Sequence, residues 1–207
     1  MDNYITNLGK VNRIVGLDLS LNKAGVSTFC PNGHKCYTIT QPDIKLKKGE
    51  VRTRLPIERV GWMALAVTDV ARGVGETPFE TLVVIEGISA GANESSHNEV
   101  VGVHFMVLYT LFVKKIQYVQ VAPNSLKKFA IGKGVGQKSD VKMWVTSPER
   151  DFGVSADDVK TDDEADAIVL DHIGRCLAMM KKPKFKFQEE VIEAILNPPA
   201  KKQRKAK

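Results

Sequence analysis

Four carboxylates in this chain stand at the ends of apolar segments. Asp18 closes IVGLD at 14–18, Glu86 closes LVVIE at 82–86, and Asp163 and Asp166 open DEADAIVL at 163–170. One acid at a strand end is ordinary, and each of the four taken alone reads sooner as a helix cap or a strand-end surface residue. Three apolar segments that each deliver acid at one end point instead to a shared site. Hard cations such as Mg²⁺ or Mn²⁺ take oxygen ligands and leave room for water and phosphate oxygens. Two such ions about 3.5–4 Å apart can activate a water and stabilise the leaving oxygen of an in-line displacement. Clustered carboxylates repel one another without a cation between them. The chemistry implied is metal-dependent phosphodiester hydrolysis. Asp157, Asp158, Asp162, Glu164 and Asp171 compete for the same assignment, so position alone leaves the ligand set open.

The elements that must position these acids follow from periodicity. RIVGLDLS at 13–20 reads as a strand whose one face carries Ile14, Gly16, Asp18 and Ser20. GVSTFC at 25–30 and KCYTIT at 35–40 form a hairpin around Pro31-Asn32-Gly33. TLVVIE at 81–86 is a buried strand, and if it neighbours the first strand at about 4.8 Å, Asp18 and Glu86 can share an ion. Thr161 is a good N-cap for a helix to about Met180, in which Asp163 and Asp166 share a face with Ala167, Leu170 and Ile173. Further helices are expected over 55–70, 98–114, 125–130 and 141–147, with a strand at 116–122. Residues 1–10 read as loosely ordered, while 41–53 and 87–99 read as loops. The order β-β-β-α-β-α-β-α-α is a mixed α/β plan with one hairpin-joined half and parallel crossovers.

At 207 residues the chain suits one domain with a full core, and 43% hydrophobic with 26% charged residues is a globular composition. No apolar run approaches membrane-spanning length and the N-terminus lacks a signal-peptide core, so a cytoplasmic location is expected. Three cysteines argue against a disulfide framework. The net charge of +6 is confined to residues 181–207, where nine Lys/Arg face three Glu, while 1–180 sum to zero. The expected division is therefore a domain over 1–180 and a basic tail over 181–207. Such a tail suits a polyanion, because each neutralised phosphate releases counterions; a solubilising terminus is the alternative.

Four segments together resemble the RuvC-type Holliday-junction resolvases of the RNase H-like superfamily. They are IVGLDLSLNKAGVS at 14–27, VVIEGIS at 83–89, SLKKFAIGKGVGQKSDV at 125–141 and DEADAIVLDH at 163–172, in family order across about residues 12–180. The resemblance implies an RNase H-like α/β fold, a five-stranded mixed sheet flanked by helices, here with a basic C-terminal extension. It further implies a homodimeric endodeoxyribonuclease that nicks four-way DNA junctions with Mg²⁺ or Mn²⁺, two ions per site, in the cytoplasm of a bacterial or phage-infected cell. Asp18, Glu86, Asp163 and Asp166 match the family's metal ligands. Lys127 and Lys138 match two lysines of DNA contact or catalysis, with Lys128, Lys133 and Lys142 as general phosphate contacts. The family often places an aromatic wedge soon after the glutamate, whereas here Gly87-Ile88-Ser89 follows and no aromatic appears before Phe105. A broader nuclease of flaps and forks, or a junction-binding protein without catalysis, are the alternatives.

Other motifs carry less. Cys30, His34 and Cys36 flank a hairpin turn and lack a nearby fourth zinc ligand, Cys176 lying in the last helix, so a structural role is expected. GKGVG at 132–136 lacks the ending of a P-loop. An actin-like ATPase would need a second such domain, for which the length leaves no room. Met106, Leu108, Leu111 and Phe112 suit a core or a dimer interface.

Overall fold

A computed structural model describes residues 3–45, 51–52, 55–73, 80–88 and 94–198. Its centre is a five-stranded sheet in the order β3 (Gly33–Thr40), β2 (Lys23–Cys30), β1 (Arg13–Leu19), β6 (Thr81–Glu86) and β7 (Gln117–Val121). Strands β1 (Arg13–Leu19), β2 (Lys23–Cys30) and β3 (Gly33–Thr40) form an antiparallel meander, and a two-residue ladder joins β4 (Ile44–Lys45) to β5 (Val51–Arg52). Helix α1 (Pro56–Arg72) then crosses to β6 (Thr81–Glu86), and α2 (Glu94–Val113) to β7 (Gln117–Val121). Both crossovers deliver strands parallel to β1. Helices α3 (Pro123–Ile131), α4 (Lys138–Val145), α5 (Asp162–Leu177) and α6 (Lys186–Leu196) complete the fold. This is the mixed α/β architecture expected from the sequence.

The central strands are apolar on both faces because both faces are covered, as parallel strands require. Val15, Leu17, Val83 and Ile85 pack against α1 and α2 through Met63, Val67, Val103 and Leu111. Ile14, Val84, Val119 and Val121 pack against α3, α4 and α5 through Phe129, Val145, Ile168 and Leu170.

Several boundaries differ from expectation. Helix α2 begins at Glu94, inside the segment expected as loop, and Glu99 ties it to Arg59 of α1 at 2.9 Å; residues 89–93 lie outside the described residues. Helix α3 starts at Pro123 because proline's missing N–H costs nothing in a first turn. Helix α4 starts at Lys138, capped where Asp140 accepts from the Gln137 N–H at 2.9 Å. Helix α5 stops at Leu177, since Met179 turns to φ +58 and the Met180 N–H closes onto the Arg175 carbonyl. The N-terminal residues are held along the open edge of β7: Tyr4 bridges Tyr118, and the buried Gln117 amide oxygen accepts from Thr6 and Asn7. Within 41–53, the β4–β5 ladder replaces part of the expected loop, and 46–50 and 53–54 lie outside the described residues.

The segment past residue 180 is also structured in part. Helix α6 lays Val191 into the core, and the Gln188 amide donates to the Phe129 carbonyl at 3.3 Å. Lys128 of α3 pairs with Glu190 at 2.7 Å. Residues 199–207 lie outside the described residues.

Candidate active site

The register of β1 with β6 sets the first two acids. Ile14 pairs with Leu82, Gly16 with Val84 and Leu17 with Ile85. One step further brings Asp18 beside Glu86 on neighbouring strands, on the face that Ile14 and Val84 share. That end is the carboxyl end of both strands, where open α/β sheets form their clefts. Asp18 is buried and Glu86 half-buried.

Helix α5 brings the other two. It lies so close to the sheet that a Cβ on Gly25 would run into the Asp163 carbonyl, and one on Gly16 into the Ala167 carbonyl. Gly25 is the β2 partner of Asp18. The backbone of Asp163 thus sits over the Asp18–Gly25 pair, and Asp166 falls between the two glycine contacts, buried at 6% exposure. Gly174 continues the track against Ile14 and Val84. The helix crosses β2, β1 and β6 in that order, with its N-terminal turn at the acidic edge, where its partial positive charge favours carboxylates. Backbone placement therefore sets Asp18 and Glu86 on neighbouring strands and lays the first turn of α5, which carries Asp163 and Asp166, over the strand pair of Asp18. Among the described residues no three Asp, Glu, His or Cys side chains are drawn together as a finished cation cage. What fits a hard divalent ion is the chemistry of the set, all carboxylate oxygen, gathered at one edge.

Three of the competing acids, Glu164, Asp171 and Asp158, are engaged elsewhere. Glu164 closes a capping box: its Oε2 accepts from Lys160 N–H at 2.7 Å, its Oε1 accepts from Thr38 Oγ1 at 2.9 Å, and its own N–H donates to Thr161 Oγ1 at 3.1 Å. Asp171 is fully buried, accepting from Ser27 Oγ at 3.0 Å and pairing with His34 Nε2 at 2.8 Å. Arg175 Nε approaches it at 3.3 Å as an ion pair without hydrogen-bond alignment, and its guanidinium lies over the Phe29 ring. Asp158 accepts from Ser155, which holds its carboxyl below the usual range. Asp157 and Asp162 are exposed.

Neither a family model nor a curated protein sequence matches the chain. Solved structures do. Thermus thermophilus RuvC superposes with a TM-score of 0.53 at 18% identity, covering 79% of this chain and 95% of that one. T. thermophilus RuvC in complex with Holliday junction substrate gives 0.52 at 13%, covering 79% and 94%. The fold is RuvC-like.

In this RuvC-like fold the lysines lie on α3, on the glycine loop at 132–136 and on α4. Lys127 Nζ donates to the Gly136 carbonyl at 3.1 Å, pinning the loop to α3. Lys142 Nζ donates to the Lys160 carbonyl at 3.0 Å, tying α4 to the turn before α5. Lys128 is engaged by Glu190, and Lys133 is exposed. Lys138 opens α4, and its side chain lies outside the described residues. Three of these cations thus already hold the scaffold together.

Cys30, His34 and Cys36 form no shared centre among the described residues: Cys36 Sγ donates to the Asp158 carbonyl at 3.0 Å and His34 joins Asp171. All three cysteines are free thiols. Sequence reading missed the positioning role of Gly16 and Gly25. The available signal was glycine inside two strands, which marks close approach by another backbone.

Proposed function

We propose that this protein is a divalent-cation-dependent endodeoxyribonuclease that resolves four-way DNA junctions. The observation that supports the reading is the β1–β6 register that puts Asp18 beside Glu86 in a RuvC-like sheet, with the turn of α5 that carries Asp163 and Asp166 lying over Asp18's strand pair. One of the similar structures is described as RuvC with a Holliday junction substrate, which supports branched DNA as the substrate class.

The four carboxylates would hold Mg²⁺ or Mn²⁺, two ions per site. Such ions, when bound, supply a water nucleophile at neutral pH and charge stabilisation on the phosphate oxygens. Asp18 and Glu86 come from rigid central strands and Asp163 and Asp166 from the docked end of α5, so the ligands are held by packed elements rather than by loops. Lys127, Lys128, Lys133, Lys138 and Lys142 would meet the phosphates flanking the scissile bond, steering the strand without reading its sequence.

A homodimer through α2 completes the reading. Phe105, Met106, Tyr109, Phe112 and Val113 are exposed along it, and a group of exposed apolar side chains on one helix suits a subunit interface. Two copies of the site would allow paired nicks. No helix among the described residues is long and apolar enough to cross a membrane, which is compatible with work on cytoplasmic DNA.

A synthetic four-way junction incubated with Mg²⁺ or Mn²⁺ tests the assignment. Wild type should nick it, and Asp18→Asn should lower the rate by about 10³-fold or more while leaving the melting temperature within a few degrees, because one ion ligand is lost. Equal nicking by both proteins would remove Asp18 from the site. The absence of an aromatic between Glu86 and Phe105 favours a second reading, with flaps and forks cut as well. Cleavage of flaps and forks at rates similar to junctions would establish it.

A further inference from the structure

We infer that the groove between the glycine loop and α4 binds an unpaired nucleotide of the DNA strand that approaches the acidic edge. The inference deepens the reading above and rests on DNA being the partner. The groove has a volume of about 510 Å³ and is lined by Ile131, Lys133, Val135, Asp140, Met143 and Trp144. That is room enough for a base with its sugar.

Its chemistry separates it from an ordinary phosphate-binding surface. Val135 is 75% exposed and Met143 59% exposed, so two sizeable apolar side chains face water beside the half-buried indole of Trp144. A duplex backbone offers phosphate and sugar but no base face for such groups. An unstacked base offers a π-face that aromatic and apolar side chains accept whatever the base. The indole is also held firmly. The Arg150 guanidinium carbon lies 4.1 Å from its centroid, and the same guanidinium covers Phe185 and Phe187, whose rings stack at 5.2 Å. An indole held by a cation on one face loses little side-chain freedom on binding.

Charge and position choose the occupant. Residues 123–150 hold six Lys/Arg against two acids, in a domain that is otherwise acidic, so the segment suits a polyanionic chain. The one carboxylate in the groove, Asp140, is committed to capping α4 at the Gln137 N–H. Two points of this unit are tied to the segments that carry the acids. Helix α3 starts two residues after Val121, the β7 partner of Glu86, and Lys142 of α4 holds the Lys160 carbonyl three residues ahead of Asp163. A strand led to the acidic edge would pass the groove, and a base released from pairing there could stack on Trp144.

The chain has two tryptophans, so Trp62→Phe leaves Trp144 as the single reporter. In that full-length protein, with EDTA present to suspend cleavage, a ten-nucleotide oligothymidylate should quench the fluorescence saturably. Adding Val135→Ser and Met143→Ser together, both at exposed positions, should weaken the oligonucleotide by about tenfold. Affinity for a blunt duplex should stay within about twofold. DNA bound without quenching, or a double variant that weakens single strand and duplex equally, overturns the groove and leaves the nuclease reading standing. Failure to bind single strand, duplex and four-way junction alike overturns both.

Discussion

Asp163 and Glu164 are neighbours with different tasks because of where each falls in the first turn of α5. At the third helical position the Glu164 side chain folds back onto the backbone N–H groups ahead of the helix and is anchored by Thr38. Asp163, one position earlier, has its backbone over the strand that carries Asp18's partner. A second residue-level consequence concerns His172, enclosed by Phe129, Phe152 and Arg175. Burial foremost, then the Arg175 charge, pushes its pKa down to about 3. Below the ordinary value of 6.5 the unfolded chain takes up a proton that the folded chain refuses. Stability is therefore full above pH 6.5 and falls as pH drops towards 3, at up to about 1.4 kcal/mol per pH unit. His104, whose pKa is also lowered by burial, adds in the same sense. Urea midpoints between pH 6.5 and 5 should fall in the wild type and fall less steeply in His172→Gln. Identical slopes would mean that His172 protonates freely in the folded protein.

At the scale of elements, the site depends on how closely α5 lies on the sheet. Gly16 and Gly25 remove two Cβ atoms, and the helix backbone occupies the space. Gly25→Ala should force the first turn of α5 away from β2, costing about 1–3 kcal/mol as overpacking does. Since the displaced turn carries Asp163 and Asp166, junction cleavage should drop much more than stability alone would explain. Measuring both on one preparation separates the two effects; full activity with an unchanged melting point would show that the contact is not tight. The glycine loop is fixed in a comparable way by Gly132 at φ +80 and by the Lys127–Gly136 bond.

For the whole molecule, the basic end of the chain divides into two parts. Residues 181–198 are built into the fold by α6, Phe185, Phe187 and the Gln188–Phe129 bond, whereas the five cations Lys201, Lys202, Arg204, Lys205 and Lys207 come after it. Removing 199–207 should leave the melting temperature unchanged and flatten the salt dependence of DNA binding, by up to about 4.5 in log–log slope if every cation meets a phosphate. Removing 181–207 should in addition cost about 2 kcal/mol or more, because Val191 and its apolar neighbours leave the core. An unchanged salt slope in the short truncation would make that end a passive terminus. An unchanged melting point in the long one would mean that α6 contributes nothing to the core.

The amino-acid sequence by itself determined the mixed α/β order, the strands that carry Asp18 and Glu86 near their carboxyl ends, the Thr161 cap and the placing of Asp163 and Asp166 on one helical face. These are local matters: alternation, helical period and capping chemistry act over a few residues and leave marks in a single stretch of chain. What the tertiary structure decided was long-range. The β1–β6 register set Asp18 beside Glu86, and the two strand glycines admitted α5 over Asp18. Thr38, Ser27 and His34 drew Glu164 and Asp171 into other duties. The built-in part of the tail was hidden for the same reason: Lys184 and Lys186 read as charge in sequence, while Phe185 and Phe187 acquire meaning only against Arg150 and Trp144, over 30 residues away in the chain. Contacts between distant segments depend on register and packing of the whole core, which no short stretch of sequence encodes.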